Sequence, residues 1–476
     1  MTATATTPDT STTLPRGLWP FIIALWIAEI TGSFESAMII AAMKHLIRDF
    51  GDPALVGWLV TAYLIIGAAV AAIVGRLGDI FGRRRLMIIV LVATGIGSLI
   101  SAFSTDFTWL LIGRIIQGLS GAILPLCVGL TREHVPPAKV PMVIGLMISG
   151  ASVGTATGLV LGGLIVDHYS WHGVFIASAI FCAITIVACL AFVPRSTPLP
   201  DSRRVDWING IAFAPGIMAL LYYVSTAPKT GWTTPHNLAA AGIGITFLAW
   251  WLHRSLNSSN PLLDVRLLAK REVAVTNLAS AIIAMSALQL VLLFSLMLQA
   301  PTWTLVGLGA TATVAGLAKI PSNILATGAG PFSGWLMTRY GGRFSMVSGG
   351  IICTVGWTLA WFDHGSITAV VIALCVISFG ATILFAVAPT IVTAAAPVER
   401  SSEVSGMLGV VRGLSLGIGA QFVTTLLATD QVTRGSESYP SPAAFQLAIG
   451  AIIACCIVAT LIALALPGKD KAASHG

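Results

Sequence analysis

Apolar residues run in long blocks along this chain, broken by short stretches of charge, glycine or proline. Fourteen blocks reach the roughly 17–25 residues needed to cross about 30 Å of hydrocarbon as a helix. The first covers residues 19–43 and the last 443–466. This pattern predicts an all-α integral membrane protein with fourteen transmembrane helices. The first eighteen residues are polar and rich in threonine, and no small-residue cleavage site follows a short apolar core, so the first block is expected to stay in the mature chain.

Composition strengthens that prediction. Of 476 residues, 56% are hydrophobic and only 9% charged, about a third of the charged fraction usual in soluble domains. The seven cysteines all fall in apolar stretches without CxxC spacing or a histidine cluster nearby, which makes them small buried hydrophobes and gives no metal site. The net charge of +7 is a matter of placement. With a cytoplasmic N-terminus, most of the 26 basic residues fall on the inner side and only Lys44, Arg48, Lys229 and Arg434 on the outer side. That asymmetry predicts both termini cytoplasmic and leaves no reason to expect a nucleic-acid partner.

The chain also repeats itself. "GRLGDIFGRRR" at 75–85 is echoed by "GWLMTRYGGR" at 334–343, and "VPPAKVPMVIGLM" at 135–147 by "APVERSSEVSGML" at 396–408. The offsets, 259 and 261 residues, nearly coincide. Two echoes at one spacing predict two halves repeated in the same orientation, the arrangement of carriers that rock around a central site. The expected layout is two pseudo-symmetric six-helix bundles plus two extra helices. Residues 1–18 form a cytoplasmic tail, 19–200 the first bundle, 201–270 the extra pair, 271–468 the second bundle and 469–476 a second cytoplasmic tail.

Three stretches resemble a known family. The 75–85 loop, with Gly75, Gly78, Asp79, Gly82, Arg83 and Arg84, is similar to the signature loop of the major facilitator superfamily, between its second and third helices. "LLIGRIIQGLSGA" at 110–122 is similar to that family's fourth-helix motif, with Arg114 and Gly118 at its arginine and glycine. "GASVGTATGLVLGG" at 150–163 resembles the fifth-helix motif of its fourteen-span drug:proton antiporters. The chain departs from that branch at Leu159, where a proline is usual, at Glu35, where the first helix usually carries aspartate, and at Trp171-His172-Gly173 in place of a Trp-Arg-Trp-type sequence. The resemblance implies proton-coupled export of a small lipophilic compound by alternating access across the cell membrane, or of a lipid or specific metabolite. It also implies a chain that acts as a monomer, with no cofactor beyond the proton gradient.

The residues themselves support a carrier. In the 75–85 loop the spaced glycines permit a tight turn and close helix approach, and Asp79 can accept hydrogen bonds from a helix N-terminus or pair with an arginine, which predicts a conformational latch. Gly150, Gly154, Gly158 and Gly162, with Gly163 beside them, form a smooth stripe at four-residue spacing for another helix to pack on. Five ionisable residues fall inside the apolar blocks: Glu29, Glu35, Arg114, Lys319 and Arg412. Charge is costly in hydrocarbon, so each is expected to face the interior or a watery cavity. At 1.5 Å per residue, Glu35 and Arg114 share the outer third, where an ion pair is geometrically possible, and Glu29 and Arg412 lie near the midplane. Glu29, Glu35 and Arg114 are the candidates for proton coupling, and Lys319 and Arg412 for the cavity wall. An enzyme is disfavoured because the histidines lie in loops, span ends or the tail and no nucleophile or phosphate-loop motif occurs. A channel is disfavoured because inexact halves with few charges suit rocking better than a ring-symmetric pore.

Overall fold

A computed structural model describes residues 16–50, 53–196, 207–258, 261–310, 312–434 and 437–468. Most of the two expected tails, residues 1–15 and 469–476, lies outside the described residues. The chain is almost wholly helical. The first seven helices are α1 (Trp19–Phe50), α2 (Pro53–Phe81), α3 (Arg83–Ala102), α4 (Phe107–Gln117), α5 (Ile123–His134), α6 (Val140–His168) and α7 (His172–Phe192). Then come α8 (Trp207–Thr230) and α9 (Pro235–Asn257). The last seven are α10 (Arg271–Met285), α11 (Leu290–Gln299), α12 (Ala312–Leu317), α13 (Ile320–Phe362), α14 (Ile367–Ala394), α15 (Ser401–Leu427) and α16 (Pro442–Ala463). A small antiparallel hairpin of β1 (Gln431–Arg434) and β2 (Glu437–Pro440) precedes α16.

Local chemistry sets several boundaries. Asp106, Ser366 and Ser441 each accept a backbone N–H of the first turn of α4, α14 and α16, supplying acceptors for amides that have no partner within the helix. Between α2 and α3 the chain turns at Gly82, whose φ of 100° is open to glycine at little cost.

Eleven stretches among the described residues are helical, long and apolar enough to cross a membrane. The fourteen sequence blocks and these eleven stretches differ at three places. The 43 residues of α13 would reach about 64 Å, twice the hydrocarbon thickness. Its path leaves helical geometry at Gly341 (φ 86°, ψ 168°), between the sequence blocks 306–337 and 344–362. In α8 the apolar part that qualifies is the shorter Ala212–Ala227. The helix α9, with His253 and Arg254 near its end, is not among the eleven.

Buried apolar side chains gather in several clusters. One buried apolar cluster is built from residues between Ala279 and Leu466, and two others from residues between Phe21 and Val193. A fourth joins α2, α8, α9 and α15 through Ala69, Phe213, Trp251 and Met407, with Leu263 of the following segment. Two seams join the first seven helices to the last seven. At one, a Cβ on Gly406 of α15 would fall 2.5 Å from the Ala71 carbonyl of α2. At the other, a Cβ on Gly330 of α13 would fall 2.2 Å from the Gly145 carbonyl of α6. Glycine is what lets these backbones meet.

Candidate functional site

The last turns of α2, helical where the sequence suggested a loop, sit against the start of α15. Asp79 is 5% exposed, and its carboxylate accepts the backbone N–H groups of Ser402 (3.3 Å) and Glu403 (3.0 Å). It thus caps the positive end of the α15 dipole from another helix. The Arg83 Nε donates to Asp79 Oδ1 at 2.7 Å and to Ser402 Oγ at 3.2 Å. Its other nitrogens donate to the carbonyls of Gly129 and Val398 and to the Glu133 carboxylate. This buried guanidinium therefore ties α3, α5 and the segment before α15 into one network.

Around it lie further cross-seam bonds. Arg76 donates to the Glu399 carbonyl at 3.1 Å, and its Nε lies 3.5 Å from the Glu403 carboxylate, close enough for ion pairing but not aligned as a hydrogen bond. Glu403 also accepts from Arg400 and from the backbone N–H of Asp264 at 2.7 Å. Arg132 donates to Ser401 Oγ and to the carbonyls of Thr393 and Ala396. All these bonds gather at one end of the helices, the end that the charge bias assigns to the cytoplasm.

The motif residues divide by task. A Cβ on Gly75 would stand 2.5 Å from the Ser402 carbonyl, and one on Gly78 would stand 2.3 Å from Leu126, so both glycines allow close approach. Gly82 makes the turn. Arg84 turns away from the seam and donates to the Leu190 carbonyl at 2.7 Å, at the end of α7.

A second polar centre lies within the first seven helices. Glu35 is 2% exposed and Arg114 1%, and no direct salt bridge joins them among the described residues. The ion pair judged possible from depth is replaced by a relay. Arg114 donates to Gln117 Oε1 at 2.7 Å, Gln117 donates to Ser98 Oγ at 2.6 Å, and Ser98 donates to Glu35 Oε1 at 3.3 Å. The Ser98 hydroxyl has the Thr94 carbonyl as an alternative acceptor at 3.0 Å, so turning one rotor connects or disconnects the carboxyl. Glu35 Oε2 and Arg114 Nη2 are buried without hydrogen-bond partners. Arg114 also donates to the Leu59 carbonyl at 3.0 Å and lies 4.4 Å over the Tyr63 ring. The Tyr63 hydroxyl reaches back to the Gly32 carbonyl at 3.0 Å, on the same helix as Glu35.

That helix, α1, is the one the glycine stripe receives. Cβ atoms on Gly150, Gly154, Gly158 and Gly162 would meet Trp26, Ile30, Phe34 and the Met38–Ala41 turn at 2.6–3.1 Å. Gly163 meets nothing within 4 Å and stands apart from the stripe. Glu29 is half-buried and makes no hydrogen bond or ion pair among the described residues. Lys319 lies at the junction before α13, where its Nζ donates to Ser295 Oγ at 3.3 Å. Arg412 is 8% exposed in α15.

Sequence reasoning missed Ser98 and Tyr63, because single polar residues in apolar helices carry no motif, and it passed over Gln117 although that residue stands between Arg114 and Gly118 in the quoted 110–122 stretch. It also counted Arg132 only as a topology charge. The place of Pro397 and Arg400 within the second echo was the one available signal that the α15 start belongs to the latch.

Residues 25–420 match the Major Facilitator Superfamily. The chain belongs to that superfamily. It is 26% identical over 410 residues to the uncharacterised MFS-type transporter YhcA of Bacillus subtilis, covering 85% of this chain and 76% of that one. It is 27% identical over 404 residues to the multidrug resistance protein Stp of Mycobacterium tuberculosis, covering 83% and 73%. Among solved structures, the human organic anion transporter MFSD10 (TETRAN) superposes with a TM-score of 0.65 at 14% identity, covering 94% of this chain and all of that one. The chain is therefore a multi-pass membrane transporter of this superfamily.

Proposed function

We propose that this transporter exports small lipophilic compounds in exchange for protons, by alternating access, as a fourteen-span member of the drug-antiporter branch. The carrying observation is the buried relay from Arg114 through Gln117 and Ser98 to Glu35, on a helix seated in the α6 glycine stripe. A carrier that alternately buries and hydrates a carboxyl group can trade a proton for cargo. The multidrug-resistance name of its relative Stp supports efflux. Fourteen spans follow if α13 is divided at Gly341 and α8 and α9 both cross the bilayer. The bonds gathered around Asp79 and Arg83 then close the cytoplasmic end, and breaking them opens the site inward.

The test is substrate-dependent proton movement in proteoliposomes, screened across lipophilic cations, lipophilic anions, neutral compounds and lipids. Glu35→Gln and Glu29→Gln are expected to abolish gradient-driven transport while leaving membrane insertion and folding intact. Wild-type rates with unchanged pH dependence in both single variants and the double variant would remove proton coupling from these residues.

A further inference from the structure

The charges of the two repeats are handled differently. In the first, the Arg114 guanidinium has Glu35 at the end of a three-bond relay. In the second, Arg412 is 8% exposed and has no carboxylate within ion-pair distance among the described residues. Its Nη2 donates to the Phe385 carbonyl at 3.0 Å, and its guanidinium lies 3.8 Å over the Phe385 ring. Its Nε–H is buried without any hydrogen-bond partner.

A guanidinium does not shed its charge at any physiological pH. Buried without a counter-charge, it keeps an unmet demand that one carbonyl and one ring face answer only in part. The surroundings leave room for more. Gly406 and Gly413 of α15 press against α2, where Cβ atoms would stand 2.5 and 3.0 Å from their neighbours. At Gly409, one turn before Arg412, a Cβ would meet nothing nearer than Ala71 at 3.9 Å. Gly409 and Ser415 are both half-buried, and around Gly409 the face of α15 is not tightly packed against α2.

We infer that Arg412 binds the anionic group of an amphiphilic cargo, such as a carboxylate or sulfonate carried on an apolar ring system. The charge answers the guanidinium, as charge-assisted bonds to arginine do, and the ring system takes the apolar walls of α14 and α15. This assignment rests on the efflux proposal, and it narrows the cargo to lipophilic anions.

Binding of 1-pyrenebutyrate and 1-pyrenebutanamide to the purified full-length protein, followed by pyrene fluorescence, separates charge from bulk. The wild-type protein is expected to bind the acid about tenfold more tightly than the amide, about 1.4 kcal/mol. Arg412→Gln should bring the two affinities within twofold by weakening the acid alone. Arg412→Lys, which keeps the charge but loses the planar donor set, should retain a reduced preference, and it carries the test if the glutamine variant does not fold. Equal binding of acid and amide by the wild type, or an undiminished preference in Arg412→Gln, overturns the assignment to Arg412 and leaves the efflux proposal standing. Saturable binding of neither probe also overturns the assignment to Arg412, and the efflux proposal is then decided by the proteoliposome assay alone.

Discussion

Gly75 and Gly334 hold equivalent places in the two repeats, and each brings its helix against a backbone across a seam. A Cβ on Gly75 would stand 2.5 Å from the Ser402 carbonyl, and one on Gly334 would stand 2.3 Å from Cα of Met142. Seven residues later each repeat has a glycine with positive φ, Gly82 at 100° and Gly341 at 86°. The backbone half of the motif is therefore present twice.

The aspartate–arginine pair of the motif is present once. Thr338 and Gly342 stand where the first repeat has Asp79 and Arg83, and Thr338 Oγ1 donates to the Gly334 carbonyl of its own helix. Across the seam, the Ser402 and Glu403 amides that bind Asp79 are answered by Pro141 and Met142, and proline has no N–H to give. Sterics have kept the duplicated backbone geometry, while charge is concentrated at the α2–α15 seam. An ionic network capped on a helix dipole can be made and broken as a unit, whereas the α6–α13 contact brings glycine backbones together without an aspartate at the equivalent place.

The largest effect should come from the feature that the seams share. Gly75→Leu and Gly334→Leu each force bulk into backbone, and each is expected to cost about 1–3 kcal/mol of stability and to remove transport. Thermal unfolding of the purified variants and proteoliposome flux measure both. A Gly334 variant that kept wild-type flux would break the proposed equivalence.

Next in size is the feature that only one seam has. Asp79→Asn keeps the shape and loses the charge facing Arg83 and the α15 dipole. The protein should fold, with transport down about tenfold and the end near Asp79 more open to a membrane-impermeant thiol reagent at an introduced cysteine. Ser402→Pro should act in the same direction with a smaller effect. Proline is tolerated in a first helical turn, so this change deletes one N–H bond to Asp79, together with the Ser402 hydroxyl, and leaves α15 whole. Unchanged flux and accessibility in both variants would reduce the loop to a topology signal.

The helical blocks, both echoes and the close-approach role of Gly75 were legible in the sequence, because hydrocarbon demands long apolar runs and close packing demands glycine. The stripe at Gly150, Gly154, Gly158 and Gly162 was legible as a packing surface, but its partner α1 was not, since a stripe of small residues does not name what fills it. The separation of Glu35 from Arg114 was also hidden. Depth along a helix places two residues at one level, but whether a serine and a glutamine stand between them depends on how α1, α3 and α4 are turned about their axes. Nothing in the sequence links Glu403 to Asp264, and only the folded chain puts the Glu403 carboxylate against the Asp264 backbone N–H at 2.7 Å.

The smallest effect should come from restoring the donor that the second seam lacks. Pro141→Ser places an N–H in the first turn of α6, at the position equivalent to Ser402. In the first seam that N–H meets a carboxylate; here Thr338 stands in the place of Asp79, so no charge is there to receive it. Proline's lost N–H is one that a first helical turn leaves unpaired in any case, and serine fits early helical positions. Stability should therefore shift by less than about 0.5 kcal/mol, and flux should stay within about twofold of wild type. A tenfold change in flux would mean that the second seam is gated by backbone polarity after all, and that the two seams share more than their glycines.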